Sequence, residues 1–259
     1  MPTFILIRHA EKLTWPAGTP PATMQRPSTL TTTKFLSGKG LERSHALVGY
    51  FLHRKEMIDL YESAPLAAIV CQAVNPNGKG KSERPKQTIY PLYEHLSSTL
   101  TPGVVTGHMS MSSNATQQHP SRSAAASLVS TTSPDTNIKF MEYTKSQFAE
   151  MVTRLRTDTQ FHGKTVIISW SHQTLPHLAL ALGASPNVVP AKWGKRFDVT
   201  WVVRGNTLQQ YAQKLLYGDQ DDVFKVKAGG CVGQIEQETA VLLNGAFAGN
   251  DDDGEDDDE

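Results

Sequence analysis

Thr3-Phe4-Ile5-Leu6-Ile7-Arg8-His9-Ala10-Glu11-Lys12 begins with a β-branched residue and four apolar ones, then turns without transition to an arginine and a histidine. A short apolar run with no polar alternation is the pattern of a strand buried on both faces, as in parallel sheets. Such a strand delivers Arg8 and His9 to its carboxyl end, where open α/β sheets bind ligands. The same design recurs at Thr165-Val166-Ile167-Ile168-Ser169-Trp170, which is followed by Ser171-His172. Neighbouring parallel strands would bring the two imidazoles together. Buried polar groups need partners, so two strand-end histidines beside an arginine mark a candidate site.

Outward from these strands the periodicity alternates. From Gly40, the residues Leu41, Ser44, His45, Val48, Phe51 and Leu52 recur at helical spacing and predict an amphipathic helix. Residues 67–71 read as a second buried strand. A helix follows Pro85, with Ile89, Leu92, Tyr93 and Leu96 on one face and the proline tolerated in its first turn. Residues 137–141 predict a short strand, and residues 146–158 a helix with Phe148, Met151, Val152 and Leu155 inward. A further helix spans residues 175–182, with Gly183 as its C-terminal stop. Residues 197–203 and 208–216 read as two strands joined by a turn at Arg204-Gly205-Asn206-Thr207. The expected fold is α/β: a three-layer sandwich with a mostly parallel central sheet flanked by helices. Beyond Gly218 the signals fade.

Composition bounds the functional classes. With 259 residues, 39% hydrophobic and 19% charged, the chain can bury a sizeable core and is neither collagenous nor wholly disordered. A single domain over residues 1–248 is expected. Within it, residues 106–136 contain 13 Ser or Thr, no Phe, Tyr or Trp, and only Arg122 and Asp135 as charges, the signature of a flexible insertion. Residues 249–259 read as a disordered acidic tail, since residues 251–259 hold eight acidic groups and nothing apolar. The formal net charge of zero hides this: with those eight set aside, 25 Lys and Arg face 17 Asp and Glu, a surplus of +8.

A basic body suits an anionic small molecule. Nucleic acid is disfavoured as a partner, because Lys and Arg are scattered and are not interleaved with aromatics. Apolar runs fall far short of the roughly 20 residues that cross a bilayer, so neither a membrane nor a secreted protein is expected. Cys71 and Cys231 are too few and too far apart for a disulfide framework, which favours a reducing cytoplasm. The nine histidines lack the short paired spacings of a metal centre, so no metal and no cofactor are expected.

Four stretches together resemble a known family. Phe4-Ile5-Leu6-Ile7-Arg8-His9-Ala10-Glu11-Lys12 is similar to the strand-Arg-His-Gly signature of the histidine phosphatase superfamily, whose fold is phosphoglycerate mutase-like. Leu36-Ser37-Gly38-Lys39-Gly40-Leu41-Glu42-Arg43-Ser44 resembles the segment that begins the family's first helix. Ser82-Glu83-Arg84-Pro85-Lys86-Gln87-Thr88 resembles its Ser-x-x-Arg-Ala-x-Gln-Thr segment. Residues 166–172 resemble the strand that carries its second essential histidine. The order and spacing agree over about residues 3–216, the insertion excepted. The Arg-His-Ala-Glu-Lys form and Trp170-Ser171-His172-Gln173 point to an atypical branch. Ala10 stands where glycine is usual, and Gln173 replaces the aspartate of the acid phosphatase and phytase branch.

The resemblance implies a metal-independent phosphomonoesterase acting on a small phosphorylated metabolite. His9 would be the nucleophile that forms a phosphohistidine. Arg8 and Arg84 would hold the phosphoryl oxygens, and His172 would stabilise the developing charge. In the mutase-like branch a carboxylate some tens of residues beyond the second arginine protonates the leaving group. Glu142 lies 58 positions after Arg84, or 27 without the insertion, which favours it over Glu94 and Glu11. Arg43, on the first helix, is expected to make a structural contact. Lys12, Lys192 and Lys195 are candidates for lining the mouth and selecting an anion. A mutase-type phosphotransferase, a recruited non-phosphatase activity in the same pocket, and a non-catalytic scaffold are the competing readings, and the chain is expected to be a monomer or homodimer.

Overall fold

Every residue of strand β1 (Thr3–Arg8) is buried, as its uninterrupted apolar run requires. The structure, a computed structural model, describes residues 1–12, 35–75, 82–100, 138–227 and 230–245. Around β1 stand β2 (Leu66–Gln72), β3 (Lys139–Tyr143), β4 (Thr165–Trp170), β5 (Val199–Arg204) and β6 (Thr207–Ala212), in the sheet order β3-β2-β4-β1-β5-β6. The first four in that order are mutually parallel, and β5 pairs antiparallel with both β1 and β6.

Period-two geometry divides the core into two halves. Ile5, Ile7, Ile69, Cys71 and Ile167 face helices α1 (Gly38–His53), α2 (Lys55–Ser63) and α3 (Arg84–Leu100). Phe4, Leu6, Val70, Val166 and Ile168 face α4 (Phe148–Thr157) and α5 (Leu175–Ala181). The α/β class and the mostly parallel sheet are therefore as expected from the alternating periodicity. Each fully buried Ile or Leu stabilises the fold by about 1.5–3 kcal/mol, and a one-residue slip of β1 would exchange its two faces. Among the described residues, no helix is long and apolar enough to cross a membrane.

Several expectations are corrected. Ser44, Phe51 and Leu52 of α1 are buried as expected, but they are joined by Gly40, Arg43, Leu47 and Tyr50, whereas Leu41 is 48% exposed. Arg43 turns inward to Glu11 and Asp219, and Gly40 lets α1 approach the loop after β1: a Cβ there would lie 2.3 Å from the Glu11 carbonyl oxygen. The strand expected at 137–141 runs Lys139–Tyr143, so Glu142 lies within the strand, in register with Cys71, rather than just after it. The strand expected at 197–203 starts at Val199 and leaves Phe197 in the preceding loop. The one expected at 208–216 ends at Ala212: Lys214 takes a φ of 52°, and the amides of Leu215 and Leu216 donate to the Asp219 carboxylate instead of a neighbouring strand. Helix α6 (Gln234–Leu243) was not foreseen; Ile235 and Leu242 pack it on the α4–α5 side of the core. Gly183, with φ 118°, ends α5 as expected. The readings of residues 106–136 and 249–259 lie outside the described residues.

Candidate active site

Parallel register brings the two histidine-bearing strand ends together. Arg8 of β1 pairs with Trp170 of β4, and the His9 amide continues the ladder by donating to the Trp170 carbonyl at 3.1 Å. His172 follows two residues later in a tight turn, where the Thr174 amide donates to the Ser171 carbonyl at 3.1 Å. The Ser171 amide donates to Gln72 Oε1 at 3.2 Å, which ties this turn to the end of β2.

The buried imidazole of His9 has a defined tautomer. Its Nδ1 lies 2.8 Å from the Ala10 carbonyl oxygen, and a carbonyl can only accept, so the proton sits on Nδ1. Nε2 is therefore the lone-pair nitrogen. The His9 pKa is held well below its usual value, first by burial, then by the positive charges of Arg84 and Arg8, with a smaller contribution from His172; the bond to Ala10 opposes this only in part. A neutral imidazole surrounded by fixed positive charge is suited to accept a phosphorus centre, not a proton.

Arg8 and Arg84 are each 6% exposed and reach His9 from different elements. Arg8 Nη1 donates to the Gly194 carbonyl at 2.9 Å, and its guanidinium lies 4.0 Å from the centre of the Phe197 ring. Phe197 also packs against His9, with ring centroids 6.1 Å apart. Arg84 is the first residue of α3, and its Nε donates to Ser82 Oγ at 2.9 Å. The arginine-bearing helix is fastened to the histidine loop by Thr88. The Ala10 amide donates to Thr88 Oγ1 at 2.8 Å, and that hydroxyl donates to the Arg84 carbonyl at 2.7 Å. Thr88→Val keeps the shape but leaves the buried Ala10 amide unpaired. It is expected to cost about 1–3 kcal/mol of stability, which urea titrations of wild type and variant check.

Glu11 and Arg43 form an ion-pair network with Asp219. Arg43, 2% exposed, binds Glu11 through Nε and Nη2 at 2.8–3.1 Å and Asp219 through Nη1 and Nη2 at 3.0 and 2.7 Å. Arg43 is thus a structural tie. Glu142 stands apart from His9's immediate charge neighbours. It is 39% exposed on β3 and ion-paired at 3.0 Å with Lys86, in the first turn of the helix that begins with Arg84. Glu94 is exposed on α3.

A cavity of about 1140 Å³ opens over Arg8 and His172. Lys12, Lys192 and Lys195 lie in its wall, joined by Lys39 and Glu11. The same wall includes Phe197, Trp193 and the start of α6. Sequence reasoning missed Phe197, Gly194, Thr88 and Gln72. For Thr88 the signal was present in Ser82-Glu83-Arg84-Pro85-Lys86-Gln87-Thr88, where four-residue spacing places its hydroxyl over the Arg84 carbonyl. Phe197 and Gly194 carry no local signal. Among the described residues, no group of three or more His, Cys, Asp and Glu is placed to hold a metal ion.

Comparison with known protein families and with curated proteins found no match to this chain.

Proposed function

We propose that this protein is a phosphomonoesterase of the histidine phosphatase type, with a phosphoglycerate mutase-like fold, in which His9 carries the phosphoryl group. The observation that carries the reading is the His9 tautomer: Nδ1–H is committed to the Ala10 carbonyl, which leaves Nε2 unprotonated among Arg8, Arg84 and His172. Nε2 attacks phosphorus, the ester P–O bond breaks, and a proton goes to the departing alkoxide. Water then attacks the phosphohistidine, the N–P bond breaks, and inorganic phosphate leaves with His9 neutral again. Arg8 and Arg84 hold the phosphoryl oxygens, and protonated His172 answers the charge that develops on them.

Glu142, which Lys86 holds at the turn of α3 that carries Arg84, remains the expected donor to the leaving group; the role requires its carboxyl to be protonated and so released from Lys86, and it takes the proton back from the attacking water in the second step. Both oxygens of Glu11 are committed to Arg43. The same reading takes a small phosphorylated metabolite as substrate, needs neither nucleic acid nor membrane, and places a monomer or homodimer in the cytoplasm.

The test is phosphate release from a panel of phosphomonoesters in EDTA. Release that survives chelation supports the reading, and its absence from every member with folded protein counts against it. The pH profile adds a second check. Because the neutral His9 is the active form and its pKa is depressed, the acid limb of kcat/KM is expected below pH 6.5. Folding carries the same sign. The unfolded chain binds a proton that native His9 refuses, so this group's contribution to stability is present above pH 6.5 and falls away as the pH drops below it.

A further inference from the structure

A guanidinium that grips a phosphoryl group does so with its in-plane N–H donors, so a contact that fixes its orientation competes least when it acts on the face. At Arg8 one loop, residues 193–198, supplies both kinds of contact. The Gly194 carbonyl accepts from Nη1 at 2.9 Å, in the plane. The Phe197 ring takes the face, with the guanidinium carbon 4.0 Å from its centroid. A contact this close is a cation–π pair, which is strongest where water is excluded. The same ring meets the His9 imidazole at 6.1 Å between centroids and 49° between planes. Arg8 and His9 are consecutive, and consecutive side chains leave an extended backbone on opposite sides. A ring that touches both therefore lies across the end of the strand.

Phe197 packs in neither half of the hydrophobic core; it is half-buried and lines the cavity. Its loop is nevertheless rigidly held. Trp193, 1% exposed, donates from Nε1 to the Arg196 carbonyl at 2.9 Å, and its indole packs on Trp201 of β5 at 4.5 Å between centroids. Arg196 bonds Asp198 at 2.8 and 2.9 Å, and Asp198 accepts from the Gln220 amide at 2.8 Å. Phe197 stands between these two clamped residues, so its place is set before any ligand arrives, which lowers the entropy lost on binding.

We infer that Phe197 is a positioning residue of this site, whose ring fixes the plane of the Arg8 guanidinium and closes the His9 imidazole to water. The inference rests on the phosphomonoesterase reading for its purpose, and it is tested on quantities that need no turnover. The charged groups that face His9 are Arg8 from β1, Arg84 from α3 and His172 from the turn after β4, with the Ala10 carbonyl on Nδ1. Removing the ring takes away none of these charges. It admits water, and a better solvated imidazole holds its proton more readily.

Three substitutions in the full chain, each with its melting temperature checked, separate the two effects. Phe197→Leu keeps apolar volume and loses the ring face, Phe197→Ala loses both, and Phe197→Tyr keeps both. By calorimetry, inorganic phosphate is expected to bind Phe197→Leu and Phe197→Ala about 3- to 30-fold more weakly than wild type, and Phe197→Tyr within about twofold of it. In ¹⁵N NMR titrations, the His9 midpoint is expected to rise toward 6.5 in Phe197→Ala and to stay at the wild-type value in Phe197→Tyr. A ring that only filled space would change the melting temperature and move neither quantity. Wild-type phosphate affinity in Phe197→Leu, or an unmoved His9 midpoint in Phe197→Ala, overturns the inference. So does damage in Phe197→Tyr equal to that in Phe197→Ala, since the ring would then not be the cause. Should the alanine variant not fold, Phe197→Leu decides alone. If wild type binds no phosphate, the phosphomonoesterase reading fails, and the His9 midpoint by itself decides for or against Phe197.

Discussion

His9→Ala is expected to lower kcat for phosphate release by at least about 10⁴-fold while leaving the fold intact. The size follows from the role proposed for the imidazole. Removing a nucleophile removes the whole two-step route and leaves only the electrostatic effect of the arginines on direct attack by water. The chemistry also leaves a mark. In wild type, rapid quenching with ³²P-labelled substrate should trap label on the peptide containing residue 9 as an acid-labile, base-stable adduct, which identifies phosphohistidine rather than a seryl or aspartyl ester. His9→Ala should carry no label. Label on another residue, or undiminished release by the variant, would reject His9 as the acceptor. A folding defect is separable, because His9 contributes one backbone-directed bond and a ring contact with Phe197, and melting curves read that independently.

The second large effect concerns stability. Arg43→Met should destabilise the protein by about 3–5 kcal/mol at pH 7, because it leaves the Asp219 carboxylate, 4% exposed, and Glu11, 14% exposed, without their cation. Methionine fills much of the volume, so the loss reports on charge more than on packing. pH distinguishes this origin from a cavity. Burial alone would raise the Asp219 pKa, but the paired bonds from Arg43 and the donations from the Leu215 and Leu216 amides outweigh it and hold the group at about 2. A carboxylate with a depressed native pKa adds stability that is complete above its unfolded value near 4 and is lost as pH falls through 2. In wild type this contribution is roughly 2 kcal/mol. Urea titrations at pH 7 and pH 3 should therefore show the gap between wild type and Arg43→Met narrowing on the acid side. An equal gap at both values would mean that lost packing, not the uncompensated carboxylates, causes the damage.

Arg43 also shows what local pattern reading cannot see. A charged residue on a helix is read as outward, and the apolar positions of α1 can be drawn as Leu41, Val48 and Phe51 as readily as Leu47, Tyr50 and Phe51. The choice between the two stripes is made by Glu11 and Asp219, which lie 32 and 176 positions from Arg43. Helix α6 went unread for a related reason. Five of its ten residues are apolar, but four of them are consecutive, Ala240 to Leu243, and draw no helical stripe; it holds its place through partners on another helix, with Thr239 accepting from His177 Nδ1 at 3.0 Å. Glu142 illustrates the limits of counting. Spacing along the chain indicated a carboxylate of the right distance from Arg84, whereas pairing within the sheet placed it in β3 and on Lys86.

By itself the sequence determined the alternation of buried strands and amphipathic helices, the α/β class, and the two strand ends that carry His9 and His172. These follow from hydrophobic period and abrupt polarity changes, which are properties of contiguous residues. The tertiary structure decided the rest: the register that sets Arg8 beside Trp170, the Thr88 link between Ala10 and Arg84, the Phe197 ring on Arg8, and the cavity wall that unites Lys12 with Lys192, some 180 positions apart. Each of these is a contact between residues distant in sequence. Its free energy exists only after the sheet has formed, and no local pattern encodes it.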